Sequence, residues 1–75
     1  MIILGGLLRA INNNERITIA IQEEETGTLL DRWYGTPSLL LRTKEIKGIR
    51  CARVDEVKVD TKGEIVIKIL FGTEG

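Results

Sequence analysis

Arg32, Trp33 and Tyr34 stand side by side in the stretch Leu29 to Leu41, LLDRWYGTPSLLL, which carries the only Trp, the only Tyr and the only Pro of the chain. A guanidinium beside two large rings can stack on a flat group such as a nucleobase, at about 1–3 kcal/mol per stacked base. Gly35, Thr36, Pro37 and Ser38 follow at once and read as a turn into a helix. Such a turn offers backbone N–H groups and two hydroxyls, a geometry that can hold a phosphate. Arg32, Trp33, Tyr34, Gly35, Thr36 and Ser38 therefore form the candidate binding site, with a nucleotide as its candidate ligand. A plainer reading competes with it. One ring fills a small core, the other is a dimer contact, and Thr36 merely caps a helix whose first position is Pro37.

Other chemistry has less to stand on. The chain has no His and a single Cys. That removes catalytic triads and Cys–His dyads, and nearly removes zinc and other transition metals. Cys51 lies among Arg50 and Arg53, a setting that activates an exposed thiol, but a buried and inert thiol at a strand entrance is the expectation here. Asp31, Asp55, Glu56 and Asp60 show no spacing that singles out an acid–base pair, so they read as solvated surface. The expectation is a protein that is not an enzyme and uses no cofactor.

Charge narrows the partners further. Eleven basic and eleven acidic side chains sum to zero, which disfavours nucleic acid, since neutralising phosphates needs clustered Lys and Arg. Glu23-Glu24-Glu25 is a local acidic run, and Arg42, Lys44, Lys47, Arg50 and Arg53 make a basic middle; both read as solvated faces. No apolar run approaches the roughly 18 residues that span a bilayer. The opening MIILGGLL lacks a basic flank and a cleavage site, so it reads as part of the fold. A lone Cys suits a reducing cytoplasm.

The elements that must position these residues follow from periodicity. Apolar residues at 3, 4, 7, 8 and 11 predict a helix over Met1 to Ile11, weakened by Gly5 and Gly6, with a strand over Met1 to Leu4 as the alternative. Asn12 to Asn14 predicts a turn. Arg16 to Gln22 alternates, with Ile17, Ile19 and Ile21 facing one way. After the polar link Glu23 to Gly27, Thr28 to Tyr34 completes a hairpin. On that strand Trp33 shares a face with Leu29, and Arg32 and Tyr34 share the other with Leu30, so at least one ring should be partly exposed. A helix is predicted over Ser38 to Lys47, stopped by Gly48. A third strand is predicted over Arg53 to Asp60 and a turn over Asp60 to Gly63. A fourth strand is predicted over Glu64 to Phe71, placing Ile65, Ile67, Ile69 and Phe71 on one face, and a frayed tail over Gly72 to Gly75. The sum is one α+β domain over residues 1–75, in the order α-β-β-α-β-β. Its four-stranded antiparallel sheet is made of two hairpins, covered by one or two short helices or curled into a small barrel. A chain of 75 residues builds only a small core, so a leftover apolar strip favouring a homodimer is expected.

The segments RITIAI, GTLLDRWYGTPSLLL and VDEVKVDTKGEIVIKI resemble a loose set of small proteins from Gram-positive bacteria, their phages and mobile elements. The matching positions are Ile17, Ile19, Ile21, Gly27, Leu29, Tyr34, Gly35, Leu40, Val57, Gly63, Ile65, Ile67 and Ile69, and the similarity runs from about residue 3 to residue 70. The pairing of Trp33 with Tyr34 is bulkier than that pattern. The resemblance implies an accessory protein of a phage or mobile element, acting in the host cytoplasm by binding a host protein, with interference in bacterial immunity among its roles. Capture of a nucleotide signal and a purely structural subunit are the other expectations.

Overall fold

The computed structural model describes residues 1–71; the predicted frayed tail, Gly72 to Gly75, lies outside the described residues. The elements are α1 (Leu4–Ala10), β1 (Ile17–Glu23), β2 (Leu29–Gly35), α2 (Pro37–Arg42), α3 (Lys44–Gly48), β3 (Glu56–Val59) and β4 (Ile65–Phe71). Both predicted hairpins form, β1 with β2 and β3 with β4. They join through β1 and β4, which run parallel, giving the strand order β2-β1-β4-β3.

The sheet is therefore mixed and open, not wholly antiparallel and not a barrel. The reason lies in the two isoleucine ladders. Ile17, Ile19 and Ile21 on β1, with Ile67 and Ile69 on β4, are the most apolar strand positions and are all buried. Setting these two strands side by side under the helices hides both ladders at once. The chain between the hairpins crosses one face of the sheet from β2 to β3, the kind of connection that parallel strands require. β1 and β4, each antiparallel to one of these, run parallel as well. β2 and β3 are left at the edges.

The core lies between the inner face of the sheet and Leu4 and Leu8 of α1, Leu40 of α2 and Ile46 of α3. The single helix predicted over Ser38 to Lys47 is two helices, so the order is α-β-β-α-α-β-β. Thr43 makes the break. Its backbone is extended (φ −73°, ψ 129°), and its hydroxyl donates to the Leu39 carbonyl at 2.9 Å. A Thr that bonds its own backbone competes with helix continuation. The break lets Leu40 and Ile46 both reach the core.

Both readings of the N-terminus are realised in part. Ile3 forms a β-bridge with Arg53, flanked by bonds from the Leu4 N–H to the Ala52 carbonyl and from the Val54 N–H to the Ile2 carbonyl, each 2.9 Å. The helix starts only at Leu4 and ends at Ala10. Gly5 allows this approach, for a Cβ there would lie 3.1 Å from the Arg50 carbonyl oxygen. The third strand is shorter than predicted, since Arg53 and Val54 serve this N-terminal contact instead, and only the Asp55 N–H turns back to β4, at the Lys68 carbonyl. Phe71 ends β4 beyond the helices and is exposed.

Candidate functional site

Each rung of the sheet can be followed across from β2. The inner rung is Trp33, Ile19, Ile67 and Val57; the outer rungs are Tyr34, Thr18, Val66 and Lys58, and Arg32, Ala20, Lys68 and Glu56. Consecutive strand residues point to opposite faces. Trp33 therefore turns inward and is half-buried against the core. Tyr34 turns outward and is 49% exposed. Its hydroxyl donates to Glu64 Oε2 at 2.9 Å, reaching over β1. Arg32 lies on the outer face beside it, so the guanidinium and the indole share no surface.

Leu29 does not share a face with Trp33 as predicted. The register slips between Ile21 and Gln22, whose partners Asp31 and Leu29 skip Leu30. This bulge adds one residue to β2 and places Leu29 opposite Gln22, on the outer face.

The turn after β2 is built as the sequence implied, with the Ser38, Leu39 and Leu40 N–H groups already used. Thr36 caps α2, its Oγ1 accepting from the Leu39 N–H at 3.4 Å, and Pro37 opens the helix. The Ser38 N–H donates to Asn13 Oδ1 at 2.8 Å, and the Leu40 N–H to the Thr36 carbonyl at 2.9 Å. α2 has only 6 residues. Gly35 sits beneath Leu39, where a Cβ would come within 3.0 Å of Leu39 Cδ2. The six residues chosen from the sequence thus divide among the inner face, the outer face and a closed turn.

What they do share is an edge. The Ile65 N–H donates to the Arg16 carbonyl at 3.1 Å and the Glu24 N–H to the Phe71 carbonyl at 2.9 Å. The even residues of β1 therefore turn their backbone groups to β4. Its odd residues turn theirs to β2, in agreement with the Glu23 N–H bonding the Thr28 carbonyl at 2.8 Å. Across that antiparallel pair, Asp31, Trp33 and Gly35 face β1. The N–H and C=O groups of Arg32 and Tyr34 point out of the sheet, where no strand of the described residues meets them. Asp31 Oδ1 accepts from the Arg32 N–H at 2.8 Å and so screens one of these groups.

Above this edge stand Trp33 and Leu39, the latter 51% exposed; below it stand Tyr34 and Arg32. Leu39 and Asp31 were not among the residues the sequence singled out. The signal for Leu39 was a glycine, Gly35, four residues before a helical leucine, since a bare backbone there is what a covering side chain needs.

The remaining candidates take structural places. Asp55 and Glu56 both pair with Lys68, at 3.6 and 3.1 Å. Lys68 titrates above its ordinary value because of the hydrogen bond and charge of Glu56, with a smaller contribution from Asp55 and an opposing one from burial. Asp60 Oδ1 accepts from the Lys62 and Glu64 N–H groups, each at 2.9 Å, and shapes the β3–β4 turn. Cys51 is exposed, contrary to the buried thiol expected, because the link from α3 to β3 runs over the surface at that point. No helix of the described residues is long and apolar enough to cross a membrane. No family model, no curated protein and no solved structure matches the chain.

Proposed function

We propose that this protein works by binding another protein, without chemistry of its own, through strand addition at the β2 edge. The observation that supports this is the outward-facing backbone of Arg32 and Tyr34 with side chains gripping on both sides, Trp33 and Leu39 above, Tyr34 and Arg32 below. In strand addition the main chain supplies hydrogen bonds and the flanking side chains supply selectivity. Aromatic residues and Arg are also the types that carry most binding energy at protein interfaces. The resemblance to small phage and mobile-element proteins favours a host protein as the occupant, with bacterial immunity as the process affected.

A second copy of the chain fits the same edge. Antiparallel pairing centred on Trp33 sets Trp33 against its own counterpart and Arg32 opposite the partner's Tyr34, a cation–π contact made twice. Centring on Asp31 or Arg32 would instead oppose like charges. The Trp33 register is thus the favourable one for a homodimer.

Affinity capture from a Gram-positive host lysate, followed by native mass spectrometry, tests the proposal. The wild-type chain should retain a partner, or a second copy, that Arg32→Pro releases while staying folded. A partner held equally by Arg32→Pro would remove the edge from the reading. A chain that stays monomeric and empty would remove the reading altogether.

A further inference from the structure

A second surface, on the far side of α2 from the β2 edge, has a ligand chemistry of its own. Between α1 and α2 runs a cleft of about 370 Å³ whose apolar lining comes from Leu8, Ile11, Pro37 and Leu41. Its polar lining is Arg9, Arg42, Asn13 and Ser38. No carboxylate of the described residues lines it. Among these residues the ion pairs belong to Lys68 alone, so neither guanidinium at this cleft has a carboxylate partner among them. Each Arg sits in the last turn of its helix, where a cation is favoured by the helix dipole. That preference accounts for each of them singly. It does not account for two uncompensated cations converging on one apolar trough.

The surroundings add to the field. From Arg42 to Arg50 the chain carries Arg42, Lys44, Lys47 and Arg50 against the single acid Glu45, all exposed. Most of the acids that balance the chain lie elsewhere, in the β1–β2 loop and on the strands and turns of the sheet, with Glu15 alone in the link that follows α1. A neutral protein is thus divided into a basic helical side and a more acidic remainder, and the cleft lies on the basic side.

We infer that this cleft binds a short peptide segment of a partner protein in which acidic residues flank a large apolar one. The apolar side chain enters the trough over Leu8, Ile11 and Leu41, and the flanking carboxylates meet Arg9 and Arg42. Ser38 Oγ and the Asn13 side-chain amide supply further donors; Asn13 keeps its NH2 for this purpose, because its Oδ1 already accepts from the Ser38 N–H. The trough is open at the surface, so it cannot enclose most of a small molecule in the way such ligands require. A peptide draws on the surface on either side of it.

The test is a two-dimensional amide NMR titration with a capped peptide of sequence Gly-Glu-Phe-Glu-Gly, beside a control carrying Gln for both Glu. The acidic peptide should shift the amides of Leu8, Arg9, Ser38, Leu41 and Arg42, and leave those of β2 in place. Arg9→Gln and Arg42→Gln, both surface changes, should each weaken binding about two- to fivefold, the range of an exposed ion pair, and added salt should weaken it further. Equal binding of the Gln peptide, or shifts confined to β2, would overturn the inference. The same shifts appearing on concentrating the protein alone would give the cleft to the Glu23–Glu25 loop of a second copy, and would overturn it as well.

Discussion

Replacing Arg32 and Trp33 in turn by Pro tests which way the β2 backbone faces, because Pro removes one N–H and little else that Ala does not. The two residues are neighbours on the same strand, so the comparison isolates hydrogen-bond direction. At Trp33 the N–H faces β1, whose Ile19 is fully buried. Removing that donor forfeits a ladder bond with a net value of about 1 kcal/mol and strands a buried carbonyl at about 1–3 kcal/mol. Trp33→Pro should therefore lie about 2–4 kcal/mol below Trp33→Ala. At Arg32 the N–H faces outward, and its partner among the described residues is the exposed Asp31 carboxylate, which water can replace. Pro is accepted at such edge positions, so Arg32→Pro should lie within about 1 kcal/mol of Arg32→Ala. A domain of this size shifts its midpoint by about 4–8 °C per kcal/mol. The two Pro–Ala differences should then lie about 1–3 kcal/mol apart, and thermal unfolding followed by far-UV circular dichroism should separate them by about 4–24 °C. Equal penalties at the two sites, or a larger one at Arg32, would show that β2 is not oriented as the ladder requires, and the strand-addition reading would fall with it.

Four further outcomes follow from the same structure. Leu40→Ala should cost about 2–5 kcal/mol in urea unfolding, since Leu40 is fully buried where α2 meets the sheet; against the roughly 4–11 kcal/mol expected of 75 residues, this would leave the chain near its folding threshold. Val59→Thr should change stability by less than about 0.5 kcal/mol, because Val59, though on the inner side of β3, is 65% exposed beyond the reach of the helices. Gly63→Ala should cost about 1–2 kcal/mol, as Gly63 closes the β3–β4 turn at φ +82°. The Lys68 ammonium has a folded pKa above its ordinary 10.5; its ion pairs should stabilise the fold fully below that value and lose their effect as the pH rises through the higher folded one. The stability gap between wild type and Lys68→Met, measured by denaturation at a series of alkaline pH values, should accordingly shrink, and a gap that widened would contradict the pairing.

Much of the fold can be read from alternation. Ile17, Ile19, Ile21, Ile67 and Ile69 occupy the buried face that their spacing implies, and Thr36-Pro37 opens a helix where it should. The parallel junction of β1 with β4 cannot be read in this way, because alternation says which face a residue takes but not which strand lies alongside. That choice is made by the whole core, through the gain from covering two isoleucine ladders with one set of helices. The break at Thr43 has the same character. No Gly or Pro within Ser38 to Lys47 announces a break, and the stop that the Thr43 hydroxyl makes on the Leu39 carbonyl prevails because two helices bury both Leu40 and Ile46.

The aromatic cluster shows where adjacency in sequence misleads. Arg32, Trp33 and Tyr34 suggest a platform because they are consecutive, yet in a strand consecutive residues are the ones that cannot share a face. The period of two that makes β1 a good core strand splits the cluster of β2. Its parts are reunited only at the rim of the sheet, and only because β2 is an edge, which follows from β1 preferring β4 on its other side. Asp31 then takes on a meaning that no motif would give it. A carboxylate resting on the one outward N–H beside it screens the edge from indiscriminate pairing, and an incoming strand must displace it. Asp31→Ala should therefore strengthen strand addition and increase self-association together, a joint change that analytical ultracentrifugation with and without the captured partner would resolve. Loss of binding in Asp31→Ala would mean instead that the carboxylate is part of the grip, and that the edge recognises a charge rather than a strand.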